Sequence, residues 1–462
     1  MLALIGFGVF GALTWVVLGR RPGALDRWMA EMRATGEKFT LAELGLDRPA
    51  RTNAAMEVIE TAASRFKALE RAKVSVRFQS AEDIGSERKR VAWAEANLHN
   101  SIMGGVLDWD ALGRELLELR PVLASIQEAM RDPPLDSGRD YTGTFRVVNF
   151  IAIREAAAAL HNISMYDLHR GDLSLAHQDL LALVGMAHLH AQSWTLVDQM
   201  IRSAIANLAT DAVWNALQSP GWNDRQLSEL QDLLASLSFF KELGQSYRTE
   251  RAFGLRWYTE MKTNRNSRNA GPGIINAPRR LADLPDAARG LLWKSFWADG
   301  DFLTYCRYHQ ARIDSMHTLA GTRSYRQIAP QLAEARKRLD RTLSGIGKYR
   351  YPWTANATGY IGKEVDRLVQ NETSRQLAIT AIALRRFALR HGRLPGDLHE
   401  LQPDFLRELP IDFYDGQPVR YRLDADGSFT LYSVGVDFQD NGGAPGKDWS
   451  WPKPTWPLPD LK

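Results

Sequence analysis

Residues 391–418 read HGRLPGDLHELQPDFLRELPIDFYDGQP, and their punctuation decides how the surrounding chain is read. Upstream, Glu372–Arg390 carries one apolar stripe of Leu377, Ala381, Leu384 and Ala388, with Ile379, Ile382, Ala383 and Phe387 beside it. That is helical spacing, and so wide an apolar face suits a helix lying on a sheet. Arg385, Arg386 and Arg390 complement the negative end of the helix dipole. Gly392 stops the helix and Pro395 follows as a stop signal. Asp397 and Glu400 mark a short capped helix. Downstream, Val419–Leu423 and Phe429–Val434 alternate as strands, and Asp424–Gly427 joins them as a hairpin. The expected closing element is therefore a small α+β domain with a short antiparallel sheet, over residues 351–462.

At the other end, Met1–Leu18 reads MLALIGFGVFGALTWVVL without a charged side chain. This is the low edge of the ~17–25 apolar residues that span a bilayer as a helix. No basic region precedes the stretch, and Val16, Val17 and Leu18 are too bulky for a cleavage site. An uncleaved transmembrane anchor over residues 1–21 is therefore expected rather than a signal peptide. Arg20, Arg21, Arg27 and Arg33 follow it. Basic residues flanking a span mark the cytoplasmic side, which places the body in the cytoplasm.

Between these ends, residues 22–350 read as a mainly α body of helical hairpins. Amphipathic periodicity predicts helices over Thr52–Lys73, Asp108–Met130, Phe145–His169, Asp172–Leu196, Leu196–Leu217, Gln226–Leu237, Phe239–Met261, Trp293–Met316 and Tyr325–Leu343. Arg170-Gly171-Asp172 joins two of them, Gly171 ending one and Asp172 capping the next. Asp108 and Asp110 flank Trp109 at a helix start and read as caps rather than a catalytic pair. Residues 263–278, TNRNSRNAGPGIINAP, have no periodicity and read as a mobile loop.

Composition narrows the function. There are 58 Lys and Arg against 54 Asp and Glu, without the basic patch of a nucleic-acid binder, so no nucleic-acid partner is expected. One cysteine, Cys306, rules out an intrachain disulfide and has no CxxC partner. His161, His169, His177, His188 and His190 lack the HExxH spacing that puts two ligands on one helix face. Ser344–Lys348 ends in a Gly-Lys pair, but Thr342 stands where a phosphate loop needs glycine. No assembled nucleophile, base and oxyanion set is visible, so a non-catalytic role is expected. Glu250, Arg251 and the histidines are the only residues an enzymatic alternative could draw on.

The C-terminal punctuation resembles the globular half of the major pseudopilin of type II secretion. The matching positions are Gly392, Leu394, Pro395, Pro410, Asp412, Gly416, Pro418, Tyr421, Ser433, Gly435, Asp437, Gly442, Gly443 and Asp448, in about the last fifth of the chain. In that family the loop after the last strands binds calcium. The resemblance implies a calcium site here with Asp437, Asp440 and Asp448 as carboxylate ligands, loop carbonyls completing the oxygen shell. Phe438 departs from the pattern, standing where the family has glycine. The prepilin cleavage motif is also missing: Lys38 precedes Phe39 in KFTLAEL, and Thr40 with Glu43 reads as a capping box. The resemblance implies a single-pass inner-membrane protein with an extracytoplasmic body, opposite to the arginine rule. The expected role is a membrane-anchored envelope scaffold related to secretion components, with the membrane and envelope proteins as partners. The alternative is a helical module that binds a peptide or protein partner in a groove lined by aromatics.

Overall fold

The computed structural model describes residues 23–48, 54–70, 88–94, 98–99, 106–136, 138, 140–141, 149–263, 290, 292–359 and 361–454. These residues form a mainly helical protein with a small three-stranded antiparallel sheet between Arg420 and Ser450. Among them no helix is long and apolar enough to cross a membrane. The apolar stretch Met1–Leu18 and the polar loop 264–278 lie outside the described residues.

Two compact units form. Unit 1 takes the described residues up to Leu46, Arg248–Arg312 and Ala333–Gly362; unit 2 takes Asp47–Tyr247, Ile313–Leu332 and the residues from Lys363 onward. The chain after Lys363 belongs to the same unit as most of the helical body, because its long helix buries itself among the body helices.

Unit 1 opens with helix α1 (Ala24–Ala34). Unit 2 is built on helices α2 (Ala54–Glu70), α3 (Trp109–Ala129), α4 (Phe150–His169), α5 (Leu173–His188), α6 (Leu196–Leu217) and α7 (Asp224–Ala235). The α4–α5 pair is the expected hairpin, and the Asp172 carboxylate accepts from the Leu175 N–H at 3.0 Å as its N-cap. Asp108 caps α3 in the same way through Ala111. Both acids are spent on free N–H groups of a first helical turn. Helix α6 packs against α4 and α5.

Helices α8 (Phe240–Thr263), α9 (Ala298–Thr322) and α10 (Tyr325–Leu343) each supply residues to both units. Two short helices, α11 (Gly347–Arg350) and α12 (Pro352–Thr358), precede α13 (Glu364–His391). Helix α13 starts eight residues before the expected Glu372, because Val365, Leu368 and Val369 extend its buried stripe. It contacts α6, α7 and the C-terminal sheet. Its wide apolar face is thus clasped by helices as well as by the sheet. Asn371 donates to the Ser203 carbonyl, Arg375 to the Leu234 carbonyl and Arg386 to Asp224. Gly392 ends the helix at φ 67°, a left-handed conformation open to glycine at little cost.

The strands are short. β1 (Arg88–Lys89) pairs in parallel with β7 (Lys453–Pro454), and β2 (Leu98–His99) pairs with β3 (Val106–Leu107). The C-terminal sheet has the order β4 (Arg420–Leu423), β5 (Phe429–Ser433), β6 (Trp449–Ser450), all antiparallel, with Tyr421 opposite Leu431 and Ser433 opposite Trp449. The expected hairpin is β4–β5. The third strand and the pairing of β7 with β1 carry no periodicity in the sequence.

Unit 1 has an aromatic core. Leu25 of α1, Tyr258, Trp293, Phe302 and Tyr305 are buried together, with Trp28, Trp297 and Trp353 packed against them. KFTLAEL folds as a turn closed by a reciprocal box: Glu43 N–H donates to Thr40 Oγ1 at 3.1 Å, and Thr40 N–H donates to Glu43 Oε2 at 2.9 Å. The expected capping pattern is there, closing a turn rather than starting a helix.

Candidate functional site

In the C-terminal module, the residues that carry the pseudopilin resemblance bond to one another. Asp412 is fully buried. Its Oδ1 accepts from the Ser433 hydroxyl at 2.7 Å and the Tyr414 N–H at 3.0 Å. Its Oδ2 accepts from the Val434 N–H at 2.8 Å and Arg420 Nη1 at 2.9 Å. Burial pushes this carboxyl up, and the donors around it only partly restrain the shift. Tyr421 donates to the Pro395 carbonyl at 2.8 Å. The turn-rich segment is thereby riveted to the end of β5 and to the step after α13.

The loop between β5 and β6 holds Asp437, Asp440 and Asp448. Asp448 is buried and accepts from the backbone N–H groups of Asn441, Gly443 and Ala444, at 2.7 Å from Gly443. Asp440 accepts from the Gly442 N–H and the Tyr432 hydroxyl, and Arg420 Nε lies 3.6 Å from it. Asp437 accepts from the Gln439 N–H. The Asn441 amide nitrogen sits among three oxygens: Gln439 O at 3.0 Å, Asp437 Oδ2 at 3.3 Å and Asp448 Oδ1 at 3.4 Å. Gly443 lies flat on β5, where an added Cβ would come within 2.8 Å of Thr430 Cγ2. Phe438 adopts φ 58°, strained for a bulky residue and natural for the glycine of the resembled family; its ring packs 6.2 Å from that of Tyr325.

The fit to a calcium ion is partial. The three acids share one loop, and two of them face a common point, but an amide nitrogen occupies that point and N–H donors engage the carboxylates. Among the described residues no group of three or more His, Cys, Asp or Glu side chains is arranged to hold a metal ion.

Nothing in the sequence signals a cleft of about 860 Å³ in unit 2, between α7, α13 and residues 405–413. That volume falls within the ~300–1,000 Å³ of small-molecule pockets. The apolar part of its floor is Phe239, Phe240, Ile379, Phe405 and Phe413, all buried, and polar groups make up more of the lining; the Phe240 and Phe413 rings lie 5.1 Å apart. The aromatics that line it are phenylalanines. Lys241, Arg323 and Arg407 stand on the rim, all exposed. Arg323 pairs with Glu408 at 3.2 Å, whereas Lys241 and Arg407 enter no ion pair among the described residues. Glu372 and Arg375 also line the cleft but neutralise each other as a buried pair.

The remaining candidates serve separate structural roles. Arg251, fully buried, donates to Glu37 and to the Lys38 carbonyl. His169 stacks on Trp109, His177 meets the Gln226 carbonyl, and His188 meets the Leu233 carbonyl. His161 joins Lys89 on Asp211, which is entirely buried. Burial alone would raise that carboxyl, but the Lys89 charge and the His161 hydrogen bond outweigh it and hold it at about 2. Cys306 is buried and its thiol is pushed up by desolvation, the state of an unreactive thiol. Comparison with family models, with curated proteins and with solved structures found no match for this chain.

Proposed function

We propose that the protein is a membrane-anchored envelope scaffold that holds a protein partner in the cleft of unit 2. The observation that carries this reading is the cleft itself, with its phenylalanine floor and the cations Lys241 and Arg407 on its rim, which enter no ion pair among the described residues. An extended segment with a bulky apolar side chain fits the floor, and a neighbouring carboxylate meets the rim. Such interfaces combine a desolvated aromatic anchor with a polar edge. The apolar stretch Met1–Leu18 supplies the anchor, and the pseudopilin-like C-terminal module supports a place among secretion-related envelope components.

Selection of peptides from a displayed random library on the full chain tests the cleft. Enriched sequences are expected to pair an acidic with an aromatic or aliphatic residue and to lose binding to Lys241→Glu/Arg407→Glu. Selected peptides that bind this double variant as well as the wild type would remove the cleft from the proposal.

Calcium enters as a second reading because of one feature, the three oxygens around the Asn441 amide nitrogen. Asp437, Asp448 and the Gln439 carbonyl would hold the ion in place of that amide. Its contribution would be structural, cross-linking the loop between β5 and β6.

A further inference from the structure

Leu292 and Phe296, four residues apart and so on one face of a helical stretch, are both exposed close in sequence to Asp299, which lies beside the first described residue of unit 1, Gly23. The turn Trp293–Trp297 is π-helical, a geometry that often marks functional positions. It turns Trp293 and Trp297 toward the aromatic core and Leu292 and Phe296 outward. Phe296 is 74% exposed and Leu292, one turn before it, is exposed as well. Neighbouring exposed apolar side chains signal a surface that is covered in use.

The course of the chain indicates what covers this surface. Helix α1 packs on this core through Leu25, Trp28 and Met29. A methyl group added to Gly23 would lie 3.6 Å from Asp299 Oδ2, and Asp299 is three residues from Phe296. Asp299 is itself bonded to Lys262 and Tyr258, so its charge is largely answered. Four residues lie between Leu18 and Gly23, five steps along the chain with a reach of at most about 18 Å. With Met1–Leu18 in a bilayer, the Phe296 edge cannot stand far from the membrane surface. Aromatic side chains with an apolar body are the residues that settle at that depth.

We infer that the edge of unit 1 carrying Leu292 and Phe296 lies on the lipid bilayer, seating the unit against the membrane beside its anchor. This rests on the anchor proposed for Met1–Leu18, and the experiment separates the two. The only cysteine, Cys306, is buried, so Phe296→Cys and Leu292→Cys can each be labelled with a fluorescent maleimide at one site. The full chain carrying either label is reconstituted into phosphatidylcholine–phosphatidylglycerol vesicles, with or without bromine on the upper acyl chain. Carbonate-resistant integration is scored on the same samples. The expected result is integration with at least a twofold loss of emission in brominated vesicles at both positions. Integration without quenching would overturn the seating while leaving the anchor in place. Release by carbonate would overturn the anchor and the seating with it. A label quenched by a bound protein partner but not by brominated lipid would likewise overturn it.

Discussion

Replacing Asp412 strikes the point where three parts of the C-terminal module meet. Its two oxygens serve the Ser433 hydroxyl, the Tyr414 and Val434 N–H groups and Arg420 Nη1. In Asp412→Ala the two backbone N–H groups stay buried with no acceptor, at about 1–3 kcal/mol each. Arg420 keeps Asp415 as a partner, and the Ser433 hydroxyl still accepts from the Gly435 N–H, so these add little. The expected loss is about 3–5 kcal/mol. Asp412→Asn keeps one acceptor oxygen but turns an N–H₂ toward donors, for about 1–3 kcal/mol. Ser433→Ala removes two bonds, the one donated to Asp412 and the one accepted from the Gly435 N–H, and costs about 1–2 kcal/mol. Equilibrium urea unfolding followed by circular dichroism gives all three values. The order Ala, Asn, Ser433→Ala from most to least damaging is expected. Asp412→Ala within about 1 kcal/mol of the wild type, the range of an ordinary surface change, would refute the assignment of Asp412 as the hub. The pH dependence adds a sign. Burial raises the Asp412 carboxyl in the folded state, so the folded protein binds the proton more tightly than the unfolded chain. Its contribution therefore becomes less favourable as pH rises from the unfolded value of ~3.9 toward the raised one, and Asp412→Asn is expected to lose that slope.

Lys89→Met is expected to cost about 3 kcal/mol, the lower end for breaking a buried pair, because His161 and Asn215 still reach Asp211. The wild type is expected to lose stability as pH falls from about 4 toward the depressed Asp211 value, and the variant to lose less; equal acid slopes would contradict this. Asp179 is pushed up by burial and by the neighbouring Asp167, with Arg120 and Gln127 pulling it back. Its contribution to stability therefore declines as pH rises above ~4. Asp179→Asn should unfold at no lower urea than the wild type at pH 8, and a lower midpoint would count against the pairing. Calcium is expected to raise Tm in differential scanning calorimetry, with Asp437→Ala abolishing the shift; no shift in the wild type would dispose of the calcium reading.

The local signals were legible. Asp108, Asp172 and Gly392 stand where the sequence places helix ends, because caps and stops act within one turn. The β4–β5 hairpin follows from alternation over a few residues. The candidate site was less legible. Asp412 and Ser433 drew attention only through a resemblance, since nothing local links residues 21 positions apart. The cleft left no trace, because its walls come from α7, α13 and residues 405–413, each of which reads as an ordinary amphipathic or turn segment. The reach of α13 back to Glu364 is hidden for a similar reason. Its first turns, EVDRLVQN, carry Val365, Leu368 and Val369 at helical spacing, but charged and amide residues surround them. Asn441 is equally inconspicuous, because an amide amid carboxylates looks like a spacer until its nitrogen is placed.

The pairing of β1 with β7 has a consequence for the order of events during synthesis. Arg88 and Lys453 are register partners, and Trp214 donates to the Pro452 carbonyl, so unit 2 is closed by segments made far apart in time. The α4–α5 hairpin needs only nearby residues and can form early, whereas contacts of long sequence separation form slowly. Lys89, whose buried charge is answered by Asp211, gains its strand partner only when residues 453 and 454 have left the ribosome. A nascent chain stalled before that point would hold most of its helices and still lack the strand that closes the unit.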